Sequence, residues 1–410
     1  MTRASGMGTT LGDMRALCLA SLAVLAACSG AGGADPFQLS STDRPSKRSD
    51  VEGVADPITG EIVIFGGDDG PIVNQRPTAR FRDDTWLFEP GFGWRELDVA
   101  GPSARSRYAV TYDEGRMLLF GGRFRAGTSG DYVLNNDLWA FDFATRSWTL
   151  LAEGTLAGPP PRFDGALAVD VEGNVHLIGG GLNVNALAPQ PAQDWWTWDG
   201  SRWRERTAIG QPPTFRLFET FLHDTTRDLI VVFGGQVGDF FSPSLRQLYT
   251  LRLSDGQWSQ LDVGTGPSGR FNGMGAYDAA RDRYLIFGGH PDPGTANDLW
   301  AWDAVRGGWT ELEAGDRFTG GPLGCLGNPS EIPPGYVEQD LSSPERRQGG
   351  VFQVVGDRAW LVAGEGDCSD HLDDMWAYDL AGDEGWREVL EARTGESCDR
   401  QNDDCQCLCL

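Results

Sequence analysis

Short apolar runs recur along this chain, and each is stopped by a pair of glycines. They are IVIFGG at Gly66-Gly67, LLFGG at Gly121-Gly122, LIGG at Gly179-Gly180, VVFGG at Gly234-Gly235 and LIFGG at Gly288-Gly289. A weaker sixth copy, WLVAG, ends at Ala363-Gly364. Successive copies lie 54 to 58 residues apart, with 75 before the last. A run of this length bounded by glycine reads as a buried strand. Its recurrence at a nearly fixed period marks a repeat architecture.

The flanking positions repeat as well. An arginine opens each unit at Arg48, Arg105, Arg162, Arg216, Arg270, and Arg346 or Arg347. Eight residues later the first five copies carry Asp56, Asp113, Asp170, Asp224 and Asp278. That separation fits one strand leading into a tight turn, where an Asp side chain can bond the backbone. The apolar run is then the returning second strand. After a variable loop an acid stands two residues before an aromatic: Asp84/Trp86, Asp137/Trp139, Asp194/Trp196, Asp298/Trp300 and Asp374/Trp376. The fourth copy departs, with Gln247 before Tyr249. The spacing of two puts both residues on one face of a third strand. A fourth strand opens at Trp94, Trp148, Trp203, Trp258, Trp309 and Trp386.

Six units of four antiparallel strands, with no helical period, describe an all-β, six-bladed β-propeller. The 56 glycines and 15 tryptophans fit tight turns and large aromatics packed between sheets. The arginine, the glycine pair, the third-strand aromatic and the spaced Trp resemble the kelch repeat. The resemblance covers about residues 37–391. The Gly- and Pro-rich stretch between Trp309 and Arg346 lacks strand alternation and reads as a long loop rather than a seventh blade. Two ring closures are open. Either Phe37–Ser40 completes the last blade, or blade six is self-contained and that segment packs elsewhere.

Outside the ring, residues 1–27 read as a signal segment, with Arg15 before the run ALCLASLAVLAA. Leu25-Ala26-Ala27-Cys28 resembles the lipobox of bacterial lipoproteins, which implies a lipidated Cys28, a linker over 28–36 and anchoring at the outer membrane. Six more cysteines follow, and they allow 15 pairings. In kelch propellers the loops holding Cys325 and Cys368 share a face, so the resemblance implies a disulfide between them. The acidic tail over 392–410 holds the other four in no trusted zinc spacing.

A net charge of −25 with no basic tract excludes nucleic acid as a partner on electrostatic grounds. Kelch resemblance places Arg48, Arg105, Arg162, Arg216, Arg270 and Arg346 near the channel mouth, where they could bind an anionic ligand. The competing expectation is that each pairs with the Asp before its third-strand aromatic. His176 and His223 occupy unrelated repeat positions. His290 and His371 fall in face loops near Asp292, Asp367 and Asp370, without close ligand spacing, so no metal is expected. Galactose oxidase also has a kelch propeller, but its copper site uses a crosslinked Tyr–Cys, and no cysteine here lies in a blade; no cofactor is expected. The leading expectation is a monomeric, lipid-anchored binding module for a protein, peptide or glycan. The alternative is a sugar-active enzyme similar to sialic acid mutarotases. An arginine without its Asp, beside an unpaired Glu, would favour that alternative.

Overall fold

In the computed structural model, the described residues are 37–393, apart from 71, 74–75, 78–79, 128–130, 185–189, 215, 238–241, 292–293, 319–336 and 367–370. The signal segment, Cys28, Cys325, Cys368, Asp292, Asp367, Asp370 and the cysteine-rich tail lie outside them.

Six antiparallel sheets follow one another along the chain. Blade one is Glu52–Ala55, Ile62–Phe65, Thr85–Glu89 and Gly93–Leu97. Blade two is Ala109–Asp113, Arg116–Phe120, Leu138–Asp142 and Ser147–Ala152. Blade three is Ala166–Val169, Val175–Ile178, Trp195–Trp198 and Trp203–Arg206. Blade four is Thr220–Asp224, Leu229–Phe233, Leu248–Arg252 and Gln257–Leu261, with Ile209–Gly210 added in parallel at its outer edge. Blade five is Met274–Asp278, Arg283–Phe287, Leu299–Asp303 and Trp309–Glu313. Blade six is Val351–Val355, Arg358–Glu365, His371–Asp379 and Trp386–Leu390.

The second strands are apolar on both faces because each is buried between neighbouring blades; Ile62–Phe65 is inaccessible to solvent along its whole length. The fourth-strand tryptophans close these junctions. Trp148 meets Phe65 of the preceding blade edge-on at 5.3 Å, and Trp309 meets Phe233 at 5.4 Å. Trp203 with Phe120 and Trp386 with Phe287 repeat the contact. Offset or edge-on aromatic geometry is favoured over a face-to-face sandwich.

The glycine pairs bring neighbouring blades close. Gly288 has φ +57°, and a Cβ there would lie 2.7 Å from the Arg347 carbonyl of the next blade. The following N–H, on Gly289, donates to that carbonyl at 2.9 Å. In blade six Ala363 holds the first glycine's place at φ +59°.

Blade six contains all four of its own strands, so Phe37–Ser40 does not complete it. Ser40 and Ser41 donate to the Phe92 carbonyl at 3.0 and 2.8 Å, and Phe37 packs on Trp360 beneath the Arg387 guanidinium. The ring closes through backbone bonds between Arg48 and Leu372 and between Gly364 and Arg48.

Candidate functional site

The repeat arginines are consumed within their own blades. Arg270 is fully buried; its Nη1 and Nη2 donate to the two Asp298 oxygens at 2.6 and 2.8 Å. Its remaining N–H groups go to the Gly288 carbonyl, the Ser268 carbonyl and the Ser268 hydroxyl. Arg48 with Asp84, Arg105 with Asp137, Arg162 with Asp194 and Arg347 with Asp374 form the same fork. Each carboxylate also accepts the indole N–H two residues on, as Asp298 does from Trp300 at 2.7 Å. The acid-x-aromatic motif is therefore a buried Arg–Asp–Trp unit. Arg48 and its neighbours hold Asp84, Asp137 and Asp194 below the ordinary carboxylate range, although burial opposes this.

Two positions differ from the sequence expectation or from the repeat. The sixth arginine is Arg347; Arg346 instead pairs with Asp316 at 3.0 Å, at the base of the long loop. Among the described residues Arg216 has no carboxylate partner of this kind. Its Nη1 donates to the Gly234 carbonyl at 2.9 Å and to the Gln247 amide oxygen at 3.3 Å, and its guanidinium lies over the Tyr249 ring.

The channel is lined by the first strands and contains a cavity of about 410 Å³. One mouth is shaped by the residues two positions after the repeat arginines: Asp50, Arg107, Asp164, Phe218, Asn272 and Gly349. All six have φ between 50° and 62°. Five are not glycine, and such residues seldom adopt left-handed backbone unless the surroundings hold them there. Backbone bonds between blades supply that hold. Arg107 N–H donates to the Asp50 carbonyl at 3.0 Å, Asp164 N–H to Arg107 at 2.7 Å, and Asn272 N–H to Phe218 at 2.8 Å.

Side chains then meet across the axis. The Arg107 guanidinium bonds Asp50 at 2.8 Å, Asp164 at 3.4 Å and the Asn272 amide oxygen at 3.0 Å, and it lies over the Phe218 ring. Arg123, from the loop between the second and third strands of blade two, donates to Asp50 at 2.9 Å. This places that loop class and the first-strand entries on the same face. An aromatic arc borders the mouth, through Phe163, Phe218, Phe271 and His290, whose ring stacks on Phe271 at 4.7 Å. A second group joins Phe81, Phe124 and Tyr132, with the guanidiniums of Arg123 and Arg125 over Tyr132.

Three glutamates complete the site. Burial, aided by Asp164 and Asp50, pushes the Glu52 carboxyl up to about 8. Burial likewise pushes Glu219 up to about 8, with only partial relief from its own N–H and Arg216, and Glu365 to about 7. Burial also raises Asp164, whereas Arg107 and Arg123 outweigh burial at Asp50 and hold it low. Glu219 occupies a repeat position held by Val51 and Tyr108 in blades one and two and by Gly165, Gly273 and Gly350 in the others. Its Oε2 is buried without a hydrogen-bond partner among the described residues.

None of these mouth residues stands out by type. The available signal was departure from the repeat: the position two after each arginine reads Asp, Arg, Asp, Phe, Asn, Gly, and the next carries a single Glu. The histidines do not gather. His176 receives the Trp195 indole N–H on Nδ1 and donates from Nε2 to Asp170, a closed structural network. His371 donates to the Gly70 carbonyl at 3.0 Å. His223 lines the channel wall. No group of three or more His, Cys, Asp or Glu is placed to hold a metal among the described residues.

The chain resembles known proteins chiefly through this ring. "Tip elongation aberrant protein 1" of Schizosaccharomyces pombe is 29% identical over 219 residues, 51% of this chain but 18% of the relative. "N-(sulfonatooxy)prop-2-enimidothioate sulfolyase" of Thlaspi arvense is 23% identical over 247 residues, 54% of this chain and 66% of the relative. The chain thus spans under two thirds of each of these relatives. Among solved structures, "Structure of YjhT" superposes with a TM-score of 0.57 at 13% identity, over 85% of this chain and 99% of that one, which is a likeness of fold. The KLHDC2/KLHL20/DRC7 kelch-repeats domain matches residues 37–199 and 188–321. With that match and the repeated Arg–Asp–Trp units, the chain belongs to the kelch-repeat β-propeller family.

Proposed function

We propose that this kelch propeller is a glycan-binding module whose site is the channel mouth. One observation carries the reading. A cavity of about 410 Å³ is faced by planar polar groups, those of Asp50, Arg107, Asp164, Asn272 and Glu219, beside the ring of Phe218. Carboxylates, amides and guanidinium can bond adjacent hydroxyls, and aromatic faces can cover the apolar side of a sugar ring. That volume belongs to the whole channel, which continues from this mouth down the first strands to Pro57, Thr225 and Ala279, and it falls in the range of small-ligand sites. The bidentate Arg–Asp forks serve as scaffold and leave recognition to the residues two positions on. The expectation from Cys28 complements this reading: a lipid-anchored monomer at the outer membrane would present the mouth to envelope glycans. A screen of immobilised glycans against the purified protein tests the reading. Binding to a defined structure, lost in Asn272→Ala and Phe218→Ala with unchanged melting, supports it. A blank screen, or hits insensitive to both variants, refutes it.

A second reading, a mutarotase-like enzyme acting on an anionic sugar, is favoured by Glu219, whose Oε2 is buried without a hydrogen-bond partner among the described residues, near Arg216, the repeat arginine that lacks its Asp. Anomer exchange of α-sialic acid followed by NMR tests it. A rate equal to buffer rejects it.

A further inference from the structure

We infer that a lipid bilayer lies against the turn face of blade one, so that the channel mouth is turned away from it into the aqueous space. The inference rests on the expectation that Cys28 carries a lipid, and it does not depend on what the mouth binds. First strands start at the mouth and second strands return to it at the glycine pairs. The turns between first and second strands, and those between third and fourth, therefore lie on the opposite face. The chain joins the ring at that opposite face. Phe37 packs on Trp360, with the guanidiniums of Arg358 and Arg387 over its ring. Arg358 opens the second strand of blade six and Arg387 is the second residue of its fourth strand, so both stand beside the turns. Ser40 and Ser41 bond Phe92, in the turn between the third and fourth strands of blade one. From there the segment climbs the junction of blades six and one. Arg44 bonds the Glu391 carbonyl just beyond the last strand, and Arg393 donates to the Pro45 carbonyl at 2.6 Å. Ser46 then donates to Asp69, in the mouth loop of blade one, at 2.8 Å.

Chain length gives this direction its force. Eight residues separate Cys28 from Phe37, and nine extended steps span at most about 30 Å. The strand run from Arg48 to Asp56 sets the two faces about 25 Å apart. A mouth pressed to the bilayer would use nearly all of that reach in a run back along the blade, whereas the turn face at the bilayer uses none. The surface beside the entry also suits lipid. The tips of both blade-one turns, residues 57–60 and 90–92, carry no charge, and they present Ile58, 87% exposed, and Phe92, 38% exposed. The acids flanking these tips are drawn inward or paired. Asp56 is buried, Glu61 is held by Arg146 at 2.9 Å, and Glu89 is bonded by Arg95. Every other blade has a charged residue in at least one of these turns, such as Glu114, Glu172, Arg227, Arg306 and Asp357. An uncharged tip enters the headgroup region without the desolvation cost that a charged one meets. The net charge of −25 makes zwitterionic lipid the fitting partner and anionic lipid a poor one. A ligand of the mouth is then met in the aqueous space, and not among the lipids of the same leaflet.

The test is energy transfer to rhodamine-labelled lipid from a genetically encoded fluorescent amino acid. The full-length protein is purified from membranes and reconstituted in phosphatidylcholine vesicles. The probe replaces Ile58 in one sample and Val133, 58% exposed in the mouth loop of blade two, in another. Transfer is expected to be high from position 58 and low from position 133. With the probe at 58, Phe92→Glu is expected to lower the transfer, while flotation with the vesicles and melting are retained. Vesicles containing phosphatidylglycerol should lower it as well. Equal transfer from both positions, or more from 133, overturns the inference and leaves the lipid anchor standing. Transfer from 58 that Phe92→Glu does not move overturns the contact through blade one, and higher transfer on phosphatidylglycerol overturns the choice of zwitterionic lipid. The mass of the N-terminal peptide reports the anchor separately. An unmodified Cys28, with no flotation on vesicles, removes the anchor reading and the inference with it.

Discussion

Arg216 reaches the Gln247 amide at 3.3 Å, where Arg270, the equivalent residue in the next blade, grips both oxygens of Asp298. The departure leaves a buried guanidinium without its carboxylate, and burial depresses the affinity of Arg216 for its proton. Gln247→Asp restores the fork. It is expected to raise the melting temperature by a few degrees, corresponding to about 1–2 kcal/mol, because a charge-assisted pair replaces a neutral bond. A lower melting temperature would mean that Gln247 is matched to its surroundings in another way.

The complementary change should be severe. Asp298→Ala strands the buried Arg270 and deprives Trp300 of its indole acceptor. A loss of about 3–5 kcal/mol is expected in denaturant titration, since breaking a buried pair leaves an uncompensated charge. The loss should be seen without any effect on a ligand at the mouth beyond that of lowered stability. A ΔΔG below about 1 kcal/mol, the range of exposed pairs, would contradict a structural role for the repeat arginines.

Much of this was readable from sequence. The period, the glycine pairs and the Arg-to-Asp spacing define the ring and its strand order, because inter-blade packing demands the same residue at the same place six times. The Arg–Asp pairing was one of two open expectations. The function of the mouth was not readable, because Asp50, Arg107, Asp164, Phe218 and Asn272 share no residue type. What unites them is a backbone conformation, enforced by bonds from neighbouring blades that lie far away in sequence. The exchange of Arg346 for Arg347 has a similar cause. Both residues are arginines, and only the direction of the chain leaving the long loop decides which one faces Asp374.

Two alanine changes separate repeat geometry from composition. Gly288→Ala places a Cβ 2.7 Å from the Arg347 carbonyl at φ +57°, so a cost of about 2–4 kcal/mol is expected. Ala363→Gly releases a left-handed alanine at the same repeat position and should gain about 1 kcal/mol, after the greater freedom of glycine in the unfolded chain is counted. A loss of stability in Ala363→Gly as well as in Gly288→Ala would show that blade six does not share the geometry of the others.

Stability should fall as pH rises through neutrality. Glu52, Glu219 and Glu365 have folded-state pKa values raised to about 8, 8 and 7, against an unfolded value of 4.5. Between these limits the folded state binds more protons than the unfolded state, so unfolding free energy declines with pH over roughly pH 5 to 8. Below that window the depressed Asp84, Asp137 and Asp194 take up protons and lose their pairs, which lowers stability again. Thermal melts should therefore peak near about pH 5. Replacing the three glutamates by glutamine should flatten the alkaline limb. An unchanged limb in that variant would place the titration elsewhere.

The most direct measurement of the central claim is hydroxyl-radical footprinting of the protein with and without the tightest-binding glycan. If the left-handed ring is the recognition surface, protection concentrates at Phe218 and His290, the partly exposed members of the aromatic arc, and the partly exposed fourth-strand Trp203 and Trp309 are unchanged. Protection centred on the outer strands, or none at the mouth in the presence of saturating ligand, would contradict it.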